Sequence, residues 1–142
     1  MTATLATGYA YDLTPGHRAR VAGWTLTGLF AAFMLGASVL PKFGMTAMVT
    51  EGMAGLGWPD APVRFIGALE AVFTLLVLWP RTTPLGALLM TGLLGGAIAT
   101  NLQAGTPLLT HTLFGIYLGA LMWGGLWLRD PAVRALLPFG RR

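Results

Sequence analysis

Glu70 is the side chain of this sequence whose chemistry most needs an explanation, because it is the only charge between Arg64 and Arg81. An acidic residue at the centre of a membrane helix costs about 2.5–3.5 kcal/mol on insertion scales. Two states would keep the carboxyl group there. It is protonated, because burial disfavours its charged form, or it is ionised and paired, with Lys42 as the nearest cation. A third interpretation is that Glu70 only ties helices together through hydrogen bonds.

Other polar side chains stand near the ends of the apolar segments, in the same predicted outer half of the membrane as Glu70: Lys42, Asn101, Gln103 and His111. Thr74 follows Glu70 by four residues and therefore shares its helix face. If these faces agree, the side chains surround one cavity. The sequence predicts a pocket near the outer leaflet formed by Glu70, Lys42, Asn101, His111, Gln103 and Thr74.

Each of these residues also has a simpler interpretation. Lys42 could extend its ammonium group to the outer headgroups. Asn101 and Gln103 are residue types that often join helices or cap loops. His111 could form a hydrogen bond at the start of a helix rather than bind a ligand or carry a proton.

The sequence lacks the residue sets of common redox and hydrolytic sites. It has no cysteine, which excludes disulfides, thiolate metal sites and C-x-x-C chemistry. His17 and His111 are predicted on opposite sides of the membrane, so one chain cannot hold a haem between them. No Ser-His-Asp set, metal-spaced cluster or phosphate-binding loop is found. We expect no catalytic residue, no metal and no covalently bound cofactor, which favours a non-enzyme without deciding the question.

The composition is that of a membrane protein. Of 142 residues, 55% are hydrophobic and 10% are charged, whereas a soluble domain has about 25% charged residues. The formal charge of +4 comes from cations that flank apolar segments, a pattern typical of membrane topology rather than of nucleic-acid binding.

Four apolar segments are long enough to cross a membrane, which needs about 20 residues each. The sequence predicts an all-α bundle of four transmembrane helices, with spans at about 21–41, 62–79, 85–103 and 107–128. Pro41 is expected to end the first span. Residues 1–20 and 129–142 are predicted to be a cytoplasmic N-terminal segment and a cytoplasmic tail.

Residues 42–61 are predicted to form a short amphipathic segment in the membrane interface, between the first two spans. Its methionines, Met45, Met48 and Met53, could make an adaptable lid over a pocket or rest on lipid as part of a connector. Small residues at four-residue spacing predict close helix contacts, in three sets: Gly28, Ala32 and Gly36; Gly92 and Gly96; Gly115 and Gly119.

The cations predict the orientation. Four spans place seven arginines on one side: Arg18, Arg20, Arg81, Arg129, Arg134, Arg141 and Arg142. The other side has only Lys42 and Arg64. Because Lys and Arg residues are enriched in the cytoplasmic loops of membrane proteins, both termini are predicted in the cytoplasm.

Several segments resemble the DoxX-like family of small four-helix membrane proteins through their order and spacing: Gly36-Ala37-Ser38-Val39-Leu40-Pro41-Lys42-Phe43, Leu56-Gly57-Trp58-Pro59, Ile66-Gly67-Ala68-Leu69-Glu70, and Pro80-Arg81-Thr82 through Leu85-Gly86-Ala87 into Gly96-Ala97. The family often has a histidine where this chain has Asn101. The resemblance implies a bacterial-type cytoplasmic membrane and an association with quinone-linked oxidoreductases.

The resemblance favours a non-catalytic accessory subunit or scaffold of a membrane redox assembly, with an oxidoreductase partner. The alternative is a protein that binds a quinone, a lipid or another small lipophile around Glu70. Proton-coupled transport is a remote third hypothesis, because four short unbroken helices differ from transporter architecture. The small-residue faces also allow a homo-oligomer.

Overall fold

The computed structural model describes residues 15–136, and its secondary structure there is entirely helical. The helices are α1 (His17–Gly44), α2 (Thr46–Gly55), α3 (Val63–Leu78), α4 (Thr83–Gln103), α5 (Leu108–Arg129) and α6 (Pro131–Leu136). The prediction of an all-α protein is confirmed. Of the predicted terminal segments, residues 1–14 and 137–142 lie outside the described range, whereas His17–Arg20 belongs to α1 and Pro131–Leu136 forms α6.

Three of these helices are long and apolar enough to cross a membrane: α1, α4 and α5. α3 has 16 residues and is therefore about 24 Å long at 1.5 Å per residue. That is shorter than the ~30 Å hydrocarbon core.

The long helices pack in the order of the chain. α1 contacts α3, α3 contacts α4, α4 contacts α5, and α5 returns to α1. Their shared core consists of apolar side chains that are almost fully buried: Phe30, Met34, Val77, Ala87, Met90, Leu94, Leu118, Met122, Leu126 and Val133. Because each neighbouring pair runs antiparallel, the short connections can lie at the two ends of the molecule.

α1 continues through Pro41, so the prediction that this proline ends the helix is wrong. A proline normally breaks a helix because it lacks an N–H group and collides with the preceding turn. Residues Met34–Val39 form a π-helical turn, in which Leu40 N–H bonds to Leu35 O five residues back. This wider turn gives the proline ring room, and the helix ends only at Gly44. Met45 separates it from α2.

The structure corrects two of the three predicted small-residue contacts. Gly28 and Gly36 have no atom within 4 Å of the position of a Cβ, and Ala32 is exposed. α1 instead contacts α5 through Gly23. The prediction chose the wrong face because both faces of α1 carry small residues, and their spacing alone does not distinguish them. Gly92 and Gly96 also have open space beside them.

The third predicted contact is confirmed. A Cβ on Gly115 would lie 2.8 Å from Ile98 Cγ1, and one on Gly119 would lie 4.0 Å from Leu94 Cδ1. These glycines let α5 pack closely on α4.

Candidate functional site

Lys42 and Glu70 meet where the C-terminal part of α1 crosses the middle of α3. Lys42 Nζ lies 2.9 Å from Glu70 Oε2, and Glu70 is only 7% exposed. Of the two states considered for this carboxyl group, the geometry is that of the ion pair. The stem of Lys42 lies directly over Gly67, where a Cβ would be 3.0 Å from Lys42 Cβ. Glycine at this position therefore allows the lysine to reach the carboxylate.

Ser38 completes this polar cluster, which we call the Ser38–Lys42–Glu70 triad. Its hydroxyl group donates to Glu70 Oε2 at 3.0 Å and accepts from Lys42 Nζ at 2.9 Å. Lys42 Nζ also donates to Ser38 O at 3.0 Å. An ammonium group has three donors, and all three are used inside the triad. The triad is therefore neutral overall, and its lysine has no free donor.

The remainder of the buried face of α3 holds Glu70 in place. The buried residues follow the alternating four- and three-residue spacing of one helix face: Val63, Gly67, Glu70, Thr74 and Val77. Thr74 Oγ1 donates to the backbone O of Glu70 at 2.7 Å. Thr74 thus bonds the backbone of α3 beneath the triad and does not bond the carboxylate.

A cavity of about 390 Å³ lies on one side of the triad, and we call it the apolar cavity. It is bounded by the end of α1, by α2 with the segment after it, and by α3 and α4. Its wall is formed by Lys42, Met53, Leu56, Trp58, Val63, Ile66, Phe73, Gly92, Leu93, Gly96, Ala97, Thr100 and Asn101. Most of these side chains are apolar, and the Nζ of Lys42 is already bonded within the triad.

A second cavity of about 290 Å³ lies between α1, α4 and α5, and we call it the histidine cavity. His111 and Ser38 line it, together with the aromatic rings of Phe33 and Phe114, whose centroids are 5.2 Å apart. Asn101 lines both cavities. The triad therefore has one member, Lys42, on the apolar cavity and another, Ser38, on the histidine cavity.

The predicted pocket residues are only partly gathered in one place. Asn101 Nδ2 donates to Ala97 O at 2.9 Å, and its Oδ1 accepts from Thr106 at 3.0 Å. The exposed His111 is 2.8 Å from Thr110 Oγ1 through its Nδ1. Gln103 is exposed and lines neither cavity. Glu70 itself bonds Lys42 and Ser38 and lines neither of the two cavities.

α2 and the turn after it cover one side of the apolar cavity. Of the three methionines considered as a lid, Met53 lines the cavity, whereas Met45 and Met48 are exposed. Leu56 and Trp58 complete this cover. Gly57 between them has φ +84°, a conformation that other residues rarely adopt.

Two further residues with structural roles were not predicted from the sequence. Ser38 precedes Lys42 by four residues, so helical spacing could have placed both on one face. Arg129 lies at the opposite end of the molecule, where its Nε donates to Thr27 Oγ1 at 3.2 Å and its Nη2 to Val77 O at 3.0 Å. The guanidinium group also lies 3.9 Å from the ring centroid of Trp24. No signal distinguishes Arg129 from a cation that faces the headgroups.

Within residues 15–136, no three His, Asp or Glu side chains are grouped so that they could hold a metal ion. Comparison with known proteins gives one match, to a family model described as the DoxX-like family, over residues 25–125. No curated protein and no solved structure matches the chain. The matched range includes α3, α4 and all residues of both cavity walls.

Proposed function

The chain belongs to the DoxX-like family of membrane proteins, and we propose from this premise that it binds a small lipophilic molecule in the apolar cavity. The observation that carries the proposal is the cavity itself. The charges of Lys42 and Glu70 beside it are paired with each other. The cavity volume of about 390 Å³ is in the range of small-molecule sites, about 300–1,000 Å³, which are mostly apolar with a few polar groups. A quinone or a lipid is a ligand of this kind.

The proposed topology has four transmembrane helices, with both ends of the described chain in the cytoplasm of a bacterial-type cell. α1, α4 and α5 have the length and composition of spans. α3 packs between α1 and α4 and would cross by local thinning of the bilayer.

The distribution of charge supports this orientation. Arg129 bonds Val77 O, which joins the end of α5 to the end of α3. The described arginines at this end are Arg18, Arg20, Arg81, Arg129 and Arg134. Lys42 and Arg64 are at the other end. The excess of positive charge favours the cytoplasm for the arginine end.

Two neighbouring glycines provide a test of ligand binding. Gly96 lines the apolar cavity and Gly95 does not, yet both have open space around the position of a Cβ. Gly96→Leu would project into the cavity, and its Cβ would meet no atom within 4 Å, whereas Gly95→Leu would place the same side chain elsewhere on α4. Native mass spectrometry from mild detergent should detect a small bound molecule in the unmodified protein and in Gly95→Leu, and not in Gly96→Leu.

Two results would contradict the proposal. The first is a homogeneous protein without a bound molecule, even after incubation with a lipid extract. The second is equal retention of the molecule by Gly95→Leu and Gly96→Leu, which would place it outside the cavity.

A second candidate function is that of an accessory subunit in a membrane redox assembly. Gly28, Ala32 and Gly36 form an uncovered small-residue face on α1, and such faces allow close contact with another membrane helix. Affinity purification in mild detergent should recover an oxidoreductase subunit, or a second copy of the chain, that is lost in Gly28→Leu. Recovery of the same proteins with the variant would exclude this face as the contact.

A further inference from the structure

We propose that the apolar cavity selects uncharged lipophiles that carry a hydrogen-bond acceptor, and that it rejects carboxylates and amines of the same size. The inference rests on the proposed function, since it states the class of molecule that the cavity would hold. It depends on which hydrogen-bonding groups of the wall are occupied within the protein and which are free.

The charge on the wall is cancelled inside the protein. Lys42 is the charged residue on the wall, and its three donors go to Ser38 O, Ser38 Oγ and Glu70 Oε2. The other ionisable side chains near this end of the described chain are exposed: Glu51, Asp60, Arg64 and His111. None of these four is on the wall of the apolar cavity. A ligand there would meet no uncompensated charge.

A charged ligand would have to break the triad to be neutralised. A carboxylate could pair with Lys42 only if the ammonium group turned away from Glu70, which would leave a buried carboxylate without its cation. An amine would compete with Lys42 for Glu70, and Lys42 would then lose its partner. Without such a rearrangement, either ligand would bring an unpaired charge into an apolar site.

Two side chains on the wall offer free donors, beside the hydroxyl oxygen of Thr100, whose hydrogen goes to Gly96 O. Asn101 Nδ2 has two N–H groups, of which one bonds Ala97 O. Its Oδ1 accepts one hydrogen bond from Thr106 Oγ1, and the second N–H of the side chain is the donor that it offers. The indole N–H of Trp58 has no hydrogen-bond partner within residues 15–136. A ketone or ester oxygen is the group that complements these donors.

Three ten-carbon probes of the same shape test the selectivity: a decanone, decanoate and decylamine. Binding is measured in lipid nanodiscs at neutral pH, and the signal of Gly96→Leu is subtracted to remove partition into lipid. We expect the unmodified protein to bind the decanone about tenfold or more tightly than either charged probe, because each charged probe must displace a partner of a buried ion pair.

Variants of the triad should change the preferred probe in opposite directions. Glu70→Gln leaves the Lys42 charge uncompensated, so decanoate should become the preferred probe. Lys42→Gln leaves the carboxylate without its cation and should shift the preference toward decylamine. The double variant Lys42→Gln/Glu70→Gln is neutral again and should return to the decanone.

Each outcome decides a different point. If no probe binds above the Gly96→Leu signal, the proposed lipophile binding and this inference both fail. If decanoate or decylamine binds the unmodified protein as tightly as the decanone, only the inference fails. Unchanged preference in a folded Glu70→Gln protein also overturns it, and if that variant does not fold, the ratios for the unmodified protein are decisive.

Discussion

Gly23 on α1 and Gly125 on α5 meet backbone to backbone. A Cβ added to Gly23 would lie 2.7 Å from Gly125 O, and one added to Gly125 would lie 3.0 Å from Gly23 O. Both of these atoms are carbonyl oxygens, which cannot rotate away as a side chain can, and the Cβ on Gly125 would also lie 2.8 Å from Thr27 Oγ1. The contact between the first and last long helices therefore requires glycine on both sides.

We expect Gly23→Ala to lower the free energy of unfolding by about 1–3 kcal/mol, the usual cost of overpacking. Gly28→Ala on the same helix is the matched control, because nothing lies within 4 Å of its Cβ position. The control should be neutral or raise stability by up to about 1 kcal/mol, the difference in helix propensity between glycine and alanine. Denaturant unfolding in mild detergent measures both, and equal effects would contradict the assignment of the contact face.

The ion pair of the triad predicts that one substitution is worse than two. Lys42→Met should cost about 3–5 kcal/mol, because Glu70 loses its cation in a buried site. Lys42→Met/Glu70→Leu should recover much of this loss, since an apolar pair of similar volume often replaces a buried ion pair without penalty. Thermal unfolding of the single and double variants provides the comparison. Additive destabilisation would show that the charges are not coupled.

Arg129 should not be replaceable by lysine. Its guanidinium group bonds Thr27 and Val77 and lies over Trp24, and an ammonium group cannot reproduce this planar arrangement. We expect Arg129→Lys to lower stability by about 2–3 kcal/mol, the scale of a lost hydrogen bond to a charged group. The exposed Arg81 provides the control, and Arg81→Lys should leave the unfolding midpoint unchanged.

The proposed orientation can be tested with single introduced cysteines, because the sequence has no native cysteine that would react with a maleimide. Asp60→Cys and Ala104→Cys should react with a membrane-impermeant maleimide in intact bacterial cells. Arg81→Cys should react only after the cells are lysed. All three positions are exposed, so protection in intact cells reports sidedness. The reverse labelling pattern would place the arginine end outside.

The helices were predictable from the sequence because apolar segments and their Pro and Gly boundaries act locally. The positions of the charges also indicated an ion pair with Lys42 as one of the alternatives for Glu70. The helix faces were less predictable. Gly28 and Gly23 lie on faces of similar composition, and only the packing partner distinguishes them.

The cavity could not be derived from the sequence, because it depends on how α3 and α4 diverge. The two helices touch at Gly86, where a Cβ would lie 2.5 Å from Val77 N, whereas Gly92 and Gly96 have no atom within 4 Å of a Cβ and line the cavity. All three glycines look alike in the sequence. Gln103, which the sequence also placed in the pocket, lines neither cavity.

The π-helical turn at Met34–Val39 lets α1 hold one extra residue while the residues before and after it keep their sides of the helix. A π-helical turn holds one more residue than the α-helical turn it replaces. If these same residues wound as a regular α-helix, everything after the turn would rotate by about 100°, and Lys42 would leave the side of α1 that faces Glu70. Deletion of a single residue in the turn would instead restore a regular helix with Lys42 still facing the carboxylate. In relatives, a one-residue gap at this position should therefore accompany the same lysine–carboxylate pair.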